Sequence, residues 1–241
     1  MPATVPEVPD DRIRARQRQL AGDLRAQILA GDIGPGERIP STAALTRRYA
    51  VNNMTVTRAL AILKAEGLLT GHKGRSVVTT GRRPAEIPAA ADRPPGGAPA
   101  TVGEVPAPAP VAEALGLDRD EPVLRRHHVR LLDGEPAELI WSYYPLPVAY
   151  GSALTEADPL PGGAPAVLAA LGHPLRRAID RVSVRPATVT ELIALRLPGD
   201  VPVLRQFRIG FTDGDRPVEV TVMIKAGQRF EIRYDLPVPP G

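Results

Sequence analysis

Between Arg82 and Pro110 the chain places eight prolines, at 84, 88, 94, 95, 99, 106, 108 and 110, and hardly a large apolar side chain. Such a stretch cannot bury enough surface to offset the entropy of ordering it. It divides the 241 residues into two folding units instead of one large domain, and the length suits either arrangement. The expected organisation is a disordered, Pro-rich tail over 1–15, a folded unit over 16–81, a linker over 82–100 and a second unit over 101–241.

Charge separates the same two units. Residues 11–83 hold 14 Lys or Arg against 5 Asp or Glu, a net of +9, whereas the rest of the chain nets −6 and the whole only +3. A compact basic segment beside an acidic remainder reads as a nucleic-acid module joined to something else, although a solvated basic face with no partner has the same composition. With no cysteine, disulfides, thiolate nucleophiles and thiolate metal sites are excluded. No apolar run approaches the roughly 18 residues of a membrane span, and "MPATVPEVPDDRIRARQRQL" has no apolar segment of signal-peptide type. The expected location is cytoplasmic.

The basic unit reads as three helices and a hairpin. Leu20, Leu24, Ile28 and Leu29 give a helical period from Arg16 to Ala30, ended by "AGDIGPGERIP". Ser41 can cap a second helix through Tyr49, with Ala44 and Leu45 facing inward. In "VNNMTVTRAL", Asn52 is a fitting N-cap for a third. Val56, Leu60 and Leu63 line its apolar side, and Asn53, Thr57 and Arg58 the opposite one. "LLTGHKGRSVVTTG" then reads as a hairpin with His72 and Lys73 at its tip. This is the winged helix-turn-helix order. In the second unit, strands about the Asp133-Gly134 and Asp213-Gly214 turns alternate with the helical stretches "VAEALGL", "APAVLAAL" and "TVTELIAL". That pattern predicts an α+β domain on an antiparallel sheet. Enzyme signatures are absent: "GDIGPGERI" lacks the third glycine of a dinucleotide loop, "GHKGRS" is not a P-loop, and His127-His128 is not metal spacing.

"GDIGPGERIPS" and "TVTRALAILKAEGL" resemble the winged-helix domain of GntR-type bacterial transcription regulators over about residues 16–80. "VAEALGLDRDEPVLRRHHVRLLDGEPAELIWSYYPLP" and "VPVLRQFRIGFTDGDRPVEV" resemble, more loosely, the UTRA effector domain of the HutC-like branch, a chorismate-lyase-like fold, over about residues 101–236. The resemblance implies a homodimeric repressor on a palindromic operator, controlled by a small metabolite in the second domain, with no cofactor, no metal and no enzymatic activity. Two rivals stand beside it: a UTRA-like domain that only dimerises, and a metabolite-binding protein or enzyme with an accessory basic domain. Three arginines usual in the family's DNA contacts are missing here: Thr42 and Ala43 follow Ser41 at the start of the second helix, and Asn53 and Thr57 stand in the third.

Carried over residue by residue, the DNA-contacting set is Ser41, Thr42, Arg47, Arg48, Asn53, Met54, Thr55, Thr57, Arg58, His72, Lys73 and Arg75. Thr55 matches the family's backbone-contacting threonine; bonding to a nearby helical group is its other reading. In the second unit, His128 and Arg130 are two apart on a strand and share a face, where a guanidinium can grip a phosphate or carboxylate bidentately. A solvent-facing basic strand fits them as well. Ser142, Tyr144, Arg181 and Glu219 complete the implied effector set, and Trp141, Tyr143 and Tyr144 can line a cavity or pack a core. Ile140 and Val222 stand where amino-sugar-phosphate sensors tend to carry acids, which argues against an amino-sugar effector.

Overall fold

The computed structural model describes residues 9–71, 76–81, 85–88, 99–132, 134–160, 162–197, 201–227 and 230–235. They form two compact units, Met1–Pro84 and Ala85–Gly241.

The first unit contains α1 (Pro9–Ala30), α2 (Thr42–Tyr49) and α3 (Asn53–Ala65), followed by the short strands β1 (Leu69–Thr70) and β2 (Val78–Thr79). Residues 9–15, expected as part of a disordered tail, are helical. Pro9 suits a first helical position, where its fixed φ helps and its missing N–H costs nothing. Leu20, Ala21 and Leu24 of α1 pack with Leu45, Val56, Ala59 and Leu63 in one fully buried core, each large side chain contributing about 1.5–3 kcal/mol. Arg25 donates to both carboxylate oxygens of Glu66 at 2.8 and 2.5 Å, which ties α1 to the end of α3. Arg38 bridges to Val78 beside the antiparallel β1–β2 pair. Gly71 leaves β1 at φ +129, and a Cβ there would stand 2.8 Å from the Ser76 carbonyl oxygen, so only glycine opens this wing.

The second unit is α+β. Its elements are β3 (Ala85–Pro88), β4 (Thr101–Pro106), α4 (Ala109–Leu115), β5 (Pro122–Leu132), β6 (Glu135–Pro145), α5 (Leu146–Ala149), α6 (Gly163–Ala170), β7 (Arg177–Pro186), α7 (Val189–Ala194), β8 (Pro202–Phe211), β9 (Pro217–Ala226) and β10 (Phe230–Arg233). Six strands make one antiparallel sheet in the order β4-β5-β6-β9-β8-β7. Within the stretch expected as linker, β3 instead pairs in parallel with β10; residues 82–84 and 89–98 lie outside the described residues.

The two sheet faces are covered differently. On one, Val111, Ala112 and Leu115 of α4 pack on Val123, Tyr143, Phe207 and Val220, and Leu195 and Leu197 after α7 pack on Leu139, Val203 and Ile224. On the other, Val148, Leu154 and Leu168, from α5, the turn at Ala153–Thr155 and α6, meet Leu124 and Tyr144 at one end. The rest of that second face mixes polar and charged side chains with Ile140, Met223, Leu204, Val182 and Val184.

Candidate functional site

In the first unit the exposed side of α3 is set by its cap. The Asn52 side chain accepts hydrogen bonds from the Thr55 amide at 2.8 Å and from the Thr55 hydroxyl at 2.9 Å. Thr55 is only 3% exposed, so the structure sets it in the cap and the core and not on the outward face. Asn52→Ala is accordingly expected to lower stability by about 1 kcal/mol without altering any recognised DNA sequence. Urea unfolding and operator selection on the same variant check both halves.

Outward stand Asn53, Met54, Thr57 and Arg58, with Met54 59% exposed. The Thr57 hydroxyl donates to the Asn53 carbonyl at 2.9 Å, which turns its methyl group outward. The Thr46 hydroxyl lies 3.1 Å from Asn53 Oδ1 and 2.8 Å from the Thr42 carbonyl, so the Asn53 amide is steadied from α2. Ser41 caps α2 by accepting from the Ala44 amide at 3.2 Å. Thr42 and the pair Arg47 and Arg48 are exposed, the latter two in the last turn, where cations complement the helix dipole. Lys64 donates to the Gly71 carbonyl at 2.6 Å. His72, Lys73 and Arg75 fall outside the described residues.

In the second unit the strand register sorts the effector candidates by face. Opposed pairs Arg126–Ser142, His128–Ile140 and Arg130–Glu138 join β5 to β6; Glu138–Lys225, Ile140–Met223 and Ser142–Thr221 join β6 to β9. Thr221–Arg208, Glu219–Gly210 and Arg208–Asp180 continue the same face to β7. His128, Arg130, Ser142, Tyr144 and Glu219 therefore share one face. Arg181 does not: it opposes Phe207, with its guanidinium 5.0 Å from that ring, on the face that α4 covers. Trp141 and Tyr143 belong there too, Trp141 stacked on His127 at 4.7 Å.

A chain of ionic contacts crosses the polar face. Arg130 lies 2.9 Å from one oxygen of Glu138, and Lys225 2.8 Å from the other. Lys225 donates to Gln206 Oε1 at 2.8 Å, and the Gln206 amide donates to Asp180 at 3.0 Å. Arg208 grips Asp180 through two bonds of 2.8 and 2.7 Å. Glu138 and Lys225 have fully buried side chains. Residues 230–234 run over this chain from end to end: Phe230 stacks under the Arg130 guanidinium at 5.7 Å, and the Tyr234 hydroxyl donates to Asp180 at 3.3 Å.

At the other end Tyr144 donates to Glu219 at 2.6 Å, and Ser142 meets Thr221 at 3.1 Å. Arg126 is buried and donates to the carbonyls of Leu154, Glu156 and Asp158, fixing the turn that follows α5. Burial lowers the His128 pKa, against an opposing pull from Glu138, so its imidazole favours the neutral form. Burial and the neighbouring Glu219 raise the Tyr144 phenol well above its usual value. For Asp180, burial acts upward but the Arg208 bonds outweigh it and hold the carboxyl below its ordinary value. The face thus carries four cations, Arg126, Arg130, Arg208 and Lys225, against the carboxylates of Glu138, Asp180 and Glu219.

Residues 95–231 match the UTRA domain family, and residues 16–78 match the gntR family of bacterial regulatory proteins. An uncharacterised HTH-type transcriptional regulator of Streptomyces coelicolor is 28% identical, over 92% of this chain and 93% of its own length. An HTH-type transcriptional regulator of Mycobacterium tuberculosis is 27% identical over 91% and 85%. Among solved structures, one described as a GntR-family transcriptional regulator superposes with a TM-score of 0.61 at 26% identity, covering 93% of this chain and 98% of that one. PhnF from Mycobacterium smegmatis shares the fold at a TM-score of 0.60 and 19% identity, covering 91% and 100%. These relatives and neighbours are transcriptional regulators and not enzymes.

Proposed function

We propose that this chain, which belongs to the GntR family of bacterial transcription regulators and carries a UTRA domain, acts in the cytoplasm as a homodimeric repressor on a palindromic operator, controlled by a small anionic metabolite on the polar sheet face. The observation that carries the effector reading is that face. Its cations outnumber its carboxylates by one, His128 favours the neutral form, and the whole array sits in a sheet that is otherwise packed with apolar side chains. A guanidinium held in such an environment binds a carboxylate or phosphate more strongly than it would in water.

Two further features support control and dimerisation. β10 covers the ion chain and pairs with β3, the strand that directly follows the DNA-binding unit. An anion that shifts Arg130 from Glu138 would act on Phe230, and through β10 on β3. At the far edge of the sheet, β7 leaves Val182 and Val184 exposed, and α7 leaves Val189 and Ile193 exposed. An exposed edge strand with apolar side chains beside it can seat a second copy, and a two-fold axis there gives the self-complementary contact that a palindrome requires.

The test has two parts. The protein should retard the DNA upstream of its own gene, more weakly at higher salt. A panel of small carboxylates, phosphates and sulfates should contain a member that raises the melting temperature by mass action and changes DNA retention. Arg130→Ala should weaken that response roughly 10-fold or more, as loss of a charge-assisted bond implies, while DNA affinity without effector stays unchanged. Intact DNA binding with a melting temperature that no anion moves would favour the reading in which the UTRA domain only dimerises. That rival has an observation behind it, since Arg130 already has a carboxylate partner.

A further inference from the structure

We infer that the N-terminal half of α1 is a second arm of the DNA interface, in which Arg12 and Arg16 take backbone phosphates beside the groove that α3 enters. The sequence "DRIRARQRQL" sets arginines at 12, 14, 16 and 18, all exposed, with no acidic residue from 12 to 22. The matched gntR region begins at residue 16, so Arg12 and Arg14 lie outside what the family likeness covers. The helix direction is not free: Leu20, Ala21 and Leu24 are fixed in the core, and the preceding turns continue the same helix. Arg16 donates to the Ala50 carbonyl at 2.9 Å, which pins this half of α1 against the turn between α2 and α3. Arg12, one helical turn earlier, borders with Arg16 a concavity completed by Ala50, Val51, Asn52 and Thr55. Two guanidinium groups therefore stand beside the capped start of α3.

Charge spacing points to an anionic partner. Arg12 and Arg16 are four apart on the helix, as are Arg14 and Arg18, so each pair lies along one side of it. A polyanion running past the helix can meet both members of a pair, and duplex DNA supplies phosphates at regular intervals. Guanidinium, planar and always charged, suits phosphate oxygens bidentately. Such contacts carry no sequence information, so their role is affinity and register.

This inference rests on the winged helix binding DNA, and the experiment separates the two. Fluorescence anisotropy of the full-length protein on the duplex upstream of its gene, and on an unrelated duplex, is measured across a salt series. Arg12→Ala/Arg16→Ala should flatten the slope of log affinity against log salt by about 1.8, about 0.9 for each phosphate lost, on both duplexes alike. The base preference should be unchanged, and Arg12→Lys/Arg16→Lys should restore most of the slope. Arg12→Ala alone, which leaves the Arg16–Ala50 bond in place, should flatten it by about half as much. A wild-type slope in both alanine variants overturns the inference while leaving DNA binding intact. Failure of the wild-type protein to bind either duplex at low salt overturns DNA binding itself.

Discussion

Glu138→Ala should destabilise the second unit by about 3–5 kcal/mol, the usual cost of removing one partner from a buried ion pair. Glu138 is fully buried and serves two cations at once, Arg130 at 2.9 Å and Lys225 at 2.8 Å. Its loss takes the carboxylate from the Lys225 ammonium, itself fully buried, while the bond from Lys225 to the neutral Gln206 oxygen at 2.8 Å stays in place. Arg130 suffers less, because it is partly exposed and can turn toward water. The charge, and not the lost volume, is the source of the effect. Replacing both partners by apolar residues of similar size, Glu138→Leu with Lys225→Met, should therefore recover most of the stability. Denaturant unfolding of the two variants decides the matter. A double variant as unstable as Glu138→Ala would show that packing, and not an uncompensated charge, dominates at this position.

The sequence made some of this architecture readable, and the reasons differ by element. In the first unit, caps and apolar period coincide: Ser41 and Asn52 stand at the starts of α2 and α3, and both side chains accept the expected amides. The early start of α1 is not legible because "PDDRIRAR", residues 9–16, shows no apolar period. β7 has no sequence signature for a similar reason, since an edge strand exposed on both faces shows no alternation. β3 lies in Pro-rich sequence and pairs with β10, a contact between residues far apart in the chain. The opposite problem hid the ion chain. Glu219 enters the expected set through the family likeness, but Thr221 and Lys225 do not, because β9 is buried along nearly its whole length and reads as an apolar run. Their period of two within "PVEVTVMIKA" was the available signal, because a buried strand carries polar groups on one face only where partners await them. Thr55 and Arg181 show the limit of residue-by-residue likeness. One hydroxyl is held by the cap that precedes it, and the other side chain points away from the face it was expected to join.

Loss of base discrimination is the second large effect expected, and it belongs to Asn53. An asparagine amide pairs bidentately with adenine, accepting from N6 and donating to N7, where an arginine would read guanine through N7 and O6. Asn53 stands on the outward side of α3, in the first turn, the part of a recognition helix that meets base edges. The Thr46 hydroxyl at 3.1 Å steadies the amide without occupying every lone pair and proton it has to offer. Asn53→Ala should therefore flatten the preference at one base position, worth about 1–3 kcal/mol there. Thr57→Val should leave the preferred sequence as it is, since the Thr57 hydroxyl is already committed to the helix and only its methyl faces out. Arg58→Ala should weaken all sequences alike and flatten the salt slope by about one. Operator selection from a randomised duplex library, run on each variant, separates these outcomes. A motif that survives Asn53→Ala unchanged would remove Asn53 from the readout and return its role to the junction between α2 and α3.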